Sequence, residues 1–142
     1  MKIKKVHLDE EGIHRFLGSL EAKIMEVIWA RGRMTIKEVH DLVDKQEPIS
    51  LNAVMTVMSR LHEKGMLLRH STGQGRTRLT LFEAPQSKDE FISEQTQAVT
   101  DGLFADFGSF MVQNLISNLD QADPELLKQL ERKLNDLRRD DE

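Results

Sequence analysis

The sequence predicts a mainly α-helical fold with one small β-hairpin. Two observations lead to this prediction: apolar residues recur at helical spacing through most of the chain, and a short glycine-tipped stretch of alternating residues interrupts them after Gly65. The chain has 142 residues, of which 39% are hydrophobic, and this is enough for one packed domain with an appended oligomerisation segment. A two-domain enzyme does not fit this length.

Composition excludes several kinds of chemistry. The chain contains no cysteine, so disulfides, thiolate metal ligands and a cysteine nucleophile are excluded, and a cytoplasmic location is expected. Its longest apolar run, Val27 to Ala30, is too short for a membrane span or a signal peptide. The five histidines form no helical pair for zinc, and the glycines form no phosphate-binding loop. We therefore expect no catalytic residues, no metal, no cofactor and no membrane partner.

Charge is distributed unevenly along the chain. Residues 1–82 hold 14 Lys and Arg against 10 Asp and Glu, a net charge of +4, whereas residues 83–142 hold 6 against 14, a net charge of −8. This asymmetry indicates that the first half binds an anionic partner and that the second half is repelled by it. The alternative is that the asymmetry arises from chance composition.

Capping residues divide the first half into an arm and three helices. Residues 1–16 show no clear period and are predicted to form a solvated, loosely attached arm. Ser19 is predicted to cap the first helix, and Thr35 with Glu38 forms a capping box for the second. His40 in the second helix is expected to be a half-buried packing residue, because no second histidine lies three or four positions away to share a metal.

The third helix has the sharpest pattern in the sequence. It is predicted to run from Leu51 to Lys64 with Ser50 as its cap. Its apolar stripe consists of Val54, Val57, Met58 and Leu61. The opposite face is slim and polar, which suits insertion into a major groove. Taken alone, the same pattern is also typical of an ordinary helix whose polar face contacts solvent. That face consists of Asn52, Thr56, Ser59 and Glu63, flanked by Met55 and Arg60.

Short extended runs follow the third helix. Residues 66–71 and 76–82 are predicted to pair as a hairpin around Gly73 and Gly75. One face of the returning strand is expected to pack on the helices, while arginines project near the tip. The packing face is predicted to be Thr77, Leu79 and Leu81, and the other to be Arg76, Arg78, Thr80 and Phe82.

Three helices followed by a basic hairpin is the order of elements in a winged helix-turn-helix, in which the third helix reads bases and the wing binds phosphate. A winged-helix DNA-binding domain is therefore predicted over residues 17–85. The predicted base-reading residues are Leu51, Asn52, Met55 and Thr56. The predicted phosphate-binding residues are Ser59, Arg60, Arg69, Arg76 and Arg78. His62 and His70 flank the hairpin and could add phosphate contacts or a pH effect, which surface histidines rarely do.

Residues 17–85 resemble the penicillinase repressor family of bacterial transcription regulators (BlaI/MecI type). Residues 20–29, LEAKIMEVIW, are similar to the family's first helix, and residues 53–67, AVMTVMSRLHEKGML, are similar to its recognition helix and exit. Phe82 to Pro85 corresponds to the aromatic segment with proline that follows the wing. The resemblance implies a homodimeric repressor that binds a palindromic operator and is inactivated when a sensor pathway is triggered.

Helical segments beyond the hairpin are predicted to form a dimerisation domain, residues 86–142. Ser87 with Glu90 opens one helix, and Asp123 caps the last. Four phenylalanines lie within residues 91–110 and need a surface that covers them. The same segment of a second copy is the simplest such surface, and the chain's own winged helix is the alternative. The predicted dimer contacts are Phe104, Phe107, Phe110, Met111, Leu115, Leu127, Leu130, Leu134 and Leu137.

The predicted function is sequence-specific repression of transcription. The alternative is a winged helix that binds proteins without reading DNA, with an enzyme as a distant third. In the best-known members of the resembled family, a protease cuts an Asn-Phe bond in the first helix after the wing. The matching place here is Gln97-Ala98, and the chain contains no Asn-Phe pair. Recognition by such a protease is therefore expected to fail, and release by an inducer ligand or a regulatory protein becomes an equal alternative.

Overall fold

The computed structural model describes residues 5–141, which form five helices and one hairpin. In chain order the elements are α1 (Ser19–Arg31), α2 (Ile36–Gln46), α3 (Leu51–Glu63), β1 (Leu68–Thr72), β2 (Leu79–Glu83), α4 (Lys88–Asn118) and α5 (Pro124–Asp140). Short 3-10 turns lie at Gly12–Arg15, Gly75–Thr77 and Leu119–Gln121. A hairpin that follows three helices and precedes long helices confirms the predicted fold class.

Side-chain caps begin the second and third helices, as predicted. Thr35 Oγ1 accepts from the Glu38 N–H at 3.2 Å, and Glu38 Oε1 accepts from the Thr35 N–H at 3.0 Å. Ser50 Oγ accepts from the Ala53 N–H at 3.1 Å. These bonds satisfy backbone donors that the first helical turn leaves without partners.

The prediction that Ser19 caps α1 is wrong by one residue. Gly18 is the extended cap residue (φ −64°, ψ 165°), and Ser19 is the first helical residue. The Glu21 carboxylate accepts from the Gly18 N–H at 3.0 Å. Because Glu21 satisfies this donor from inside the helix, the cap position needs no side chain. Gly32 ends the helix with φ 86°, a conformation that favours glycine.

One apolar core joins the first three helices to the hairpin. Its largest fully buried side chains are Leu17, Ile24, Met25, Ile28, Val39, Val43, Met58, Leu61, Met66, Leu67, Phe82 and Phe91. The stripe predicted on α3 contributes Val54, Met58 and Leu61, with Val57 half-buried at its edge. Burying an aliphatic or aromatic side chain contributes roughly 1.5–3 kcal/mol, so this stripe holds α3 by one face and leaves the opposite face exposed.

The hairpin packs through Phe82, on the face opposite to the predicted one. β1 and β2 are antiparallel, with Arg69 opposite Phe82. Phe82 is buried and exchanges two backbone hydrogen bonds with Met34, at 3.0 and 2.8 Å, whereas Leu79 is 55% exposed. The predicted packing face of Thr77, Leu79 and Leu81 is therefore wrong. Both faces of the strand carry apolar residues, so alternation alone could not choose between them.

The segment before α1 is attached to the core. Within the arm predicted over residues 1–16, Ile13 is buried and the ring of Phe16 meets Phe91 edge-on at a centroid distance of 6.3 Å. Loose attachment is therefore wrong for this part of the arm, because these side chains bury apolar surface that would otherwise face water. Residues 1–4 of the predicted arm lie outside the described residues.

The first turns of α4 share this core. Phe91 is fully buried with its ring centroid 5.5 Å from that of Trp29, and Trp29 Nε1 donates to the Gln86 carbonyl at 3.2 Å. The chain forms two compact units, Met1–Thr96 and Gln97–Glu142. The sequence places the domain boundary after residue 85. The observed division lies farther along the chain, after Thr96, because Phe91 belongs to the core of the first unit.

The second unit is helical. α4 has a break in its helical angles at Phe107 (φ −136°, ψ 37°) before it ends at Asn118. The Asp123 carboxylate accepts from the Glu125 N–H at 2.7 Å and caps α5, with Pro124 in the first position as predicted. In the part of the chain that the structure describes, no helix has the length and apolar character needed to cross a membrane.

Phe91→Ala tests whether the start of α4 completes the first unit. We expect a loss of about 3–5 kcal/mol in the free energy of unfolding, because a fully buried ring is replaced by a cavity. Urea unfolding followed by fluorescence of Trp29, the chain's one tryptophan, measures this. Leu8→Ala, at a position that is 80% exposed, is the control and should change stability by less than about 0.5 kcal/mol. Equal effects of the two substitutions would contradict this assignment.

Candidate nucleic-acid interface

The outer face of α3, defined by Leu51, Asn52, Met55 and Thr56, is exposed. Leu51 is 46% and Met55 43% exposed, and both polar residues lie at the surface. The opposite stripe of α3 is buried in the core. A helix held by one face in this way presents the other as a narrow ridge, which matches the width of a major groove. All four predicted base-reading residues lie on this ridge.

Two polar groups on the outer face differ in what they can offer a base. Thr56 Oγ1 donates to the Asn52 carbonyl at 2.9 Å, so its hydrogen is used within the helix and its lone pairs remain outward as acceptors. The Asn52 side-chain amide forms no hydrogen bond with any described residue and retains both its donors and its acceptor. Together these side chains can recognise a base edge that presents both donor and acceptor atoms.

Charged residues at the end of α3 are tied to the start of α1. The Glu21 carboxylate accepts from Lys64 Nζ at 2.8 Å and from the Gly18 N–H at 3.0 Å. Burial raises the pKa of Glu21, but the bonds from Lys64 and Gly18 and the charges of Lys64 and Arg60 outweigh it and lower the pKa. Arg60 stays exposed, whereas Ser59 is half-buried. Of the two phosphate ligands predicted on α3, Arg60 is therefore the more accessible.

The wing carries three exposed arginines. Arg69 lies in β1, Arg76 in the 3-10 turn at the tip, and Arg78 just before β2, so the predicted strand over residues 76–82 begins three residues late. Arg78 Nη2 lies 3.4 Å from Ser71 Oγ. Among the described residues, no carboxylate lies within 4.0 Å of these guanidinium groups. Their charge is therefore available to an outside anion.

The tip of the wing has a left-handed backbone conformation that glycine adopts without strain. Gly73 has φ 80°, and a Cβ atom at this position would lie 2.5 Å from the Thr77 carbonyl oxygen. Thr77 Oγ1 donates to the Gln74 carbonyl at 2.8 Å and closes the turn. This turn places Arg76 at the end of the hairpin, where an anion can approach from several directions.

At the base of the wing, the carboxylate of Glu83 is hydrogen-bonded to His70, one of the two histidines considered as phosphate contacts. Glu83 accepts from Arg33 Nε at 2.8 Å and from His70 Nε2 at 2.7 Å. The hydrogen bonds from Arg33 and then His70 lower the pKa of Glu83. His62 Nδ1 lies 3.0 Å from the Leu67 carbonyl. Both histidines thus have partners within the fold, which gives them a structural role at the wing base.

The loop between α2 and α3 is held by two side chains of α2. His40 Nε2 donates to the Ile49 carbonyl at 2.8 Å, since a ring nitrogen facing a carbonyl must carry a hydrogen. Asp44 Oδ1 accepts from the Ile49 N–H at 2.9 Å. His40 is half-buried, as predicted. The described residues contain no cluster of His, Asp and Glu able to hold a metal ion.

A sequence model of the penicillinase repressor family matches residues 17–136. The chain belongs to this family. Its members are winged-helix transcriptional regulators and not enzymes, which confirms the predicted family and the assignment as a regulator.

Individual relatives match shorter stretches of this family member. It is 33% identical to the transcriptional regulator BlaI of Mycobacterium tuberculosis over 54 residues, 37% of this chain and only 39% of that protein. It is 26% identical to the uncharacterized HTH-type transcriptional regulator YwhA of Bacillus subtilis over 99 residues, 68% of each chain. The solution structure of the DNA-binding domain of the repressor BlaI superposes with a TM-score of 0.43 and 24% identity, covering 56% of this chain and 90% of that one.

The predicted dimer contacts of this family member lie at the surface of the second unit. Three of them, Met111, Leu127 and Leu130, are half-buried. The other six are exposed: Phe104, Phe107, Phe110, Leu115, Leu134 and Leu137. Leu103, Val112, Ile116 and Leu126 are exposed as well. The sequence thus predicted six of the exposed apolar residues of the second unit and missed these four.

Sequence reasoning missed the side chains that hold the interface in shape. Glu21 ties α1 to α3, Glu83 ties the wing to the loop before α2, and Asp44 holds the loop before α3. Of these, only Asp44 had a readable signal, because it lies four residues after His40 and so on the same face of α2. The other two contacts join residues far apart in sequence.

Proposed function

We propose that this protein binds double-stranded DNA sequence-specifically and represses transcription as a homodimer on a palindromic operator. One observation carries this proposal: α3 is buried along one face and leaves an uncommitted amide and an outward hydroxyl acceptor on the other. In helix-turn-helix proteins, the recognition helix is the element that enters the major groove. The name of one relative, a transcriptional regulator, supports the regulatory part of this proposal.

Base reading is assigned to the outer face of α3. Asn52 can form a paired donor and acceptor contact with adenine, and the Thr56 hydroxyl can accept from an amino group in the groove. Leu51 and Met55 flank these groups as exposed apolar side chains, which suits contact with a thymine methyl group. This combination favours recognition of A·T pairs in the half-site.

Phosphate binding is assigned to the wing and to the end of α3. Arg69, Arg76 and Arg78 are exposed and have no carboxylate within 4.0 Å among the described residues. Residues 1–82 have a net charge of +4, whereas the helical remainder has −8. A polyanion is therefore attracted to the winged-helix half and repelled by the other. Arg60 and Ser59 complete the proposed phosphate contacts.

Dimerisation is assigned to the second unit. Phe110 and Ile116 are more than 60% exposed, and eight further large apolar side chains between residues 103 and 137 are at least 39% exposed. Monomeric proteins rarely leave so many neighbouring apolar groups in water. A second copy covers them with the same surface, and the resulting two-fold symmetry requires a palindromic site.

A winged helix that binds protein is the second candidate function. Leu68 and Leu79 lie on the wing face away from Phe82 and are 41% and 55% exposed, which favours an apolar partner there. Salt dependence distinguishes the two functions, because binding through phosphate weakens steeply as salt concentration rises.

Arg76→Ala should weaken binding to every duplex and reduce the log–log salt slope by about one unit, because one phosphate contact is lost. Fluorescence anisotropy at several salt concentrations measures this, with one duplex enriched by the wild-type protein from a random library and one of scrambled sequence. Arg139→Ala, the same change of charge in α5, is the control and should leave the slope unaltered. A loss restricted to the enriched duplex would refute the phosphate role.

Asn52→Ala should relax preference at one base position at a cost of about 1–3 kcal/mol, because a paired base contact is lost. Repeating the library enrichment with this variant measures the change position by position. The salt slope should stay at the wild-type value. Equal weakening on all sequences would instead make Asn52 a backbone contact.

Phe110→Asp and Leu134→Asp should each yield a monomer, because a charge placed in an apolar contact is costly to bury. Sedimentation velocity at micromolar concentration measures the change. Gln113→Asp, which adds the same charge at an exposed polar position of α4, is the control and should remain dimeric. A wild-type protein that sediments as a monomer would disprove the assignment.

A further inference from the structure

One peptide in the loop between α2 and α3 is held on both its polar groups. The Ile49 carbonyl accepts from His40 Nε2 at 2.8 Å, and the Ile49 N–H donates to Asp44 Oδ1 at 2.9 Å. His40 and Asp44 are four residues apart on α2 and so lie on the same side of that helix. Two consecutive turns of α2 therefore hold a single residue of the loop.

These two bonds add to the backbone hydrogen bonds at the two ends of the loop. The Glu47 N–H donates to the Val43 carbonyl at 3.1 Å, and Pro48 has no N–H to satisfy. The Ser50 carbonyl already accepts from the Val54 N–H at 3.3 Å, as part of the first turn of α3. Ile49 is thus the one loop residue whose backbone is held by side chains from another element, among those described.

Ile49 is well placed to control where α3 points. Its side chain packs against the core, and it precedes the Ser50 cap, so a change at Ile49 moves the start of the helix. Asn52 follows three residues later. Direct reading of a base edge tolerates displacements of only about 0.5 Å. A loop free to sample other conformations would therefore reduce the fraction of molecules that can read bases.

We propose that His40 and Asp44 are specificity-determining positioning residues: they hold Ile49 so that the outer face of α3 keeps its register on DNA. This role rests on the proposed DNA-binding function. The two residues act through the Ile49 peptide, since His40 Nε2 and Asp44 Oδ1 are each engaged by one of its polar groups. Their loss should weaken sequence discrimination more than phosphate binding.

Charge alone predicts the opposite result for Asp44. Removing a carboxylate near a polyanion raises affinity for every duplex, whatever its sequence. The positioning role predicts instead that affinity for the preferred duplex falls. Asp44→Ala thus separates the two effects by the direction of the change.

The test compares variants that lose the bond with variants that keep it. Asp44→Ala and His40→Leu remove one bond each, whereas Asp44→Asn retains the acceptor oxygen and His40→Gln retains an N–H donor. Asp89→Ala removes the same charge as Asp44→Ala, at an exposed position of α4 within the first unit, and is the control. Asp41 is unsuitable as a control because its Oδ1 lies 3.9 Å from His40 Nδ1. The measured quantity is the ratio of affinities for the enriched duplex and the scrambled duplex at one salt concentration.

We expect Asp44→Ala and His40→Leu to lower this ratio about tenfold, the effect of one lost hydrogen bond on a binding-competent conformation. Asp44→Asn, His40→Gln and Asp89→Ala should stay within about twofold of the wild type. Circular dichroism must show all five variants folded at the assay temperature, and the His40 pair replaces the Asp44 pair if Asp44→Ala unfolds. Rescue by the conservative variants separates positioning from a general loss of stability.

Two results would overturn the role. If Asp44→Ala or His40→Leu is folded and keeps the wild-type ratio, Ile49 needs no such support. If the conservative variants lose as much as the others, the hydrogen bonds are not the cause. A wild-type protein that enriches no duplex would overturn the DNA-binding function itself, which is a different outcome because the variants then have no ratio to change.

Discussion

The burial of Phe82 is the constraint on which the winged-helix unit depends. Its ring lies in the core and its backbone exchanges two hydrogen bonds with Met34, so a single residue joins the hairpin to the loop between α1 and α2. A two-stranded hairpin is only marginally stable by itself. Anchored in this way at its base, the wing can extend its basic tip into solvent without further support. The exposed positions of Arg76 and Arg78 follow from that attachment.

The proposed interface combines groups without partners with groups that are firmly held. Asn52 and the wing arginines have polar atoms left for an outside ligand, whereas the residues behind them are engaged in ion pairs and hydrogen bonds. Glu21 and Glu83 exemplify the second kind. Hydrogen bonds from Lys64 and Gly18 lower the pKa of Glu21 despite its burial, and those from Arg33 and His70 lower the pKa of Glu83. Their carboxylates therefore stay ionised and keep neighbouring elements fixed. This rigidity favours binding, since ordering mobile side chains around a ligand costs binding free energy.

The two compact units differ in how completely they bury their apolar residues. The first encloses Phe91 and Phe82 fully, whereas the second leaves Phe110 65% and Ile116 61% exposed. The first unit therefore has the features of an independent folding domain, while the second has an apolar surface that a second chain would cover. In the proposed homodimer, joining a DNA-binding unit to a dimerisation unit would double the contact with DNA without enlarging either unit. This is the physical advantage of the proposed homodimer.

Local signals in the sequence determined the elements and the exposed face of α3. Thr35 and Ser50 identified two helix starts, and the spacing of Val54 and Met58 identified the buried stripe, because caps and helical periodicity act within one turn. Tertiary structure decided which side of the hairpin packs, since β2 is apolar on both faces and only contact with Met34 selects Phe82. It also decided the attachment of the predicted arm, the division after residue 96 and the bonds from α2 to the next loop. Each depends on groups brought together by packing, which no local pattern records.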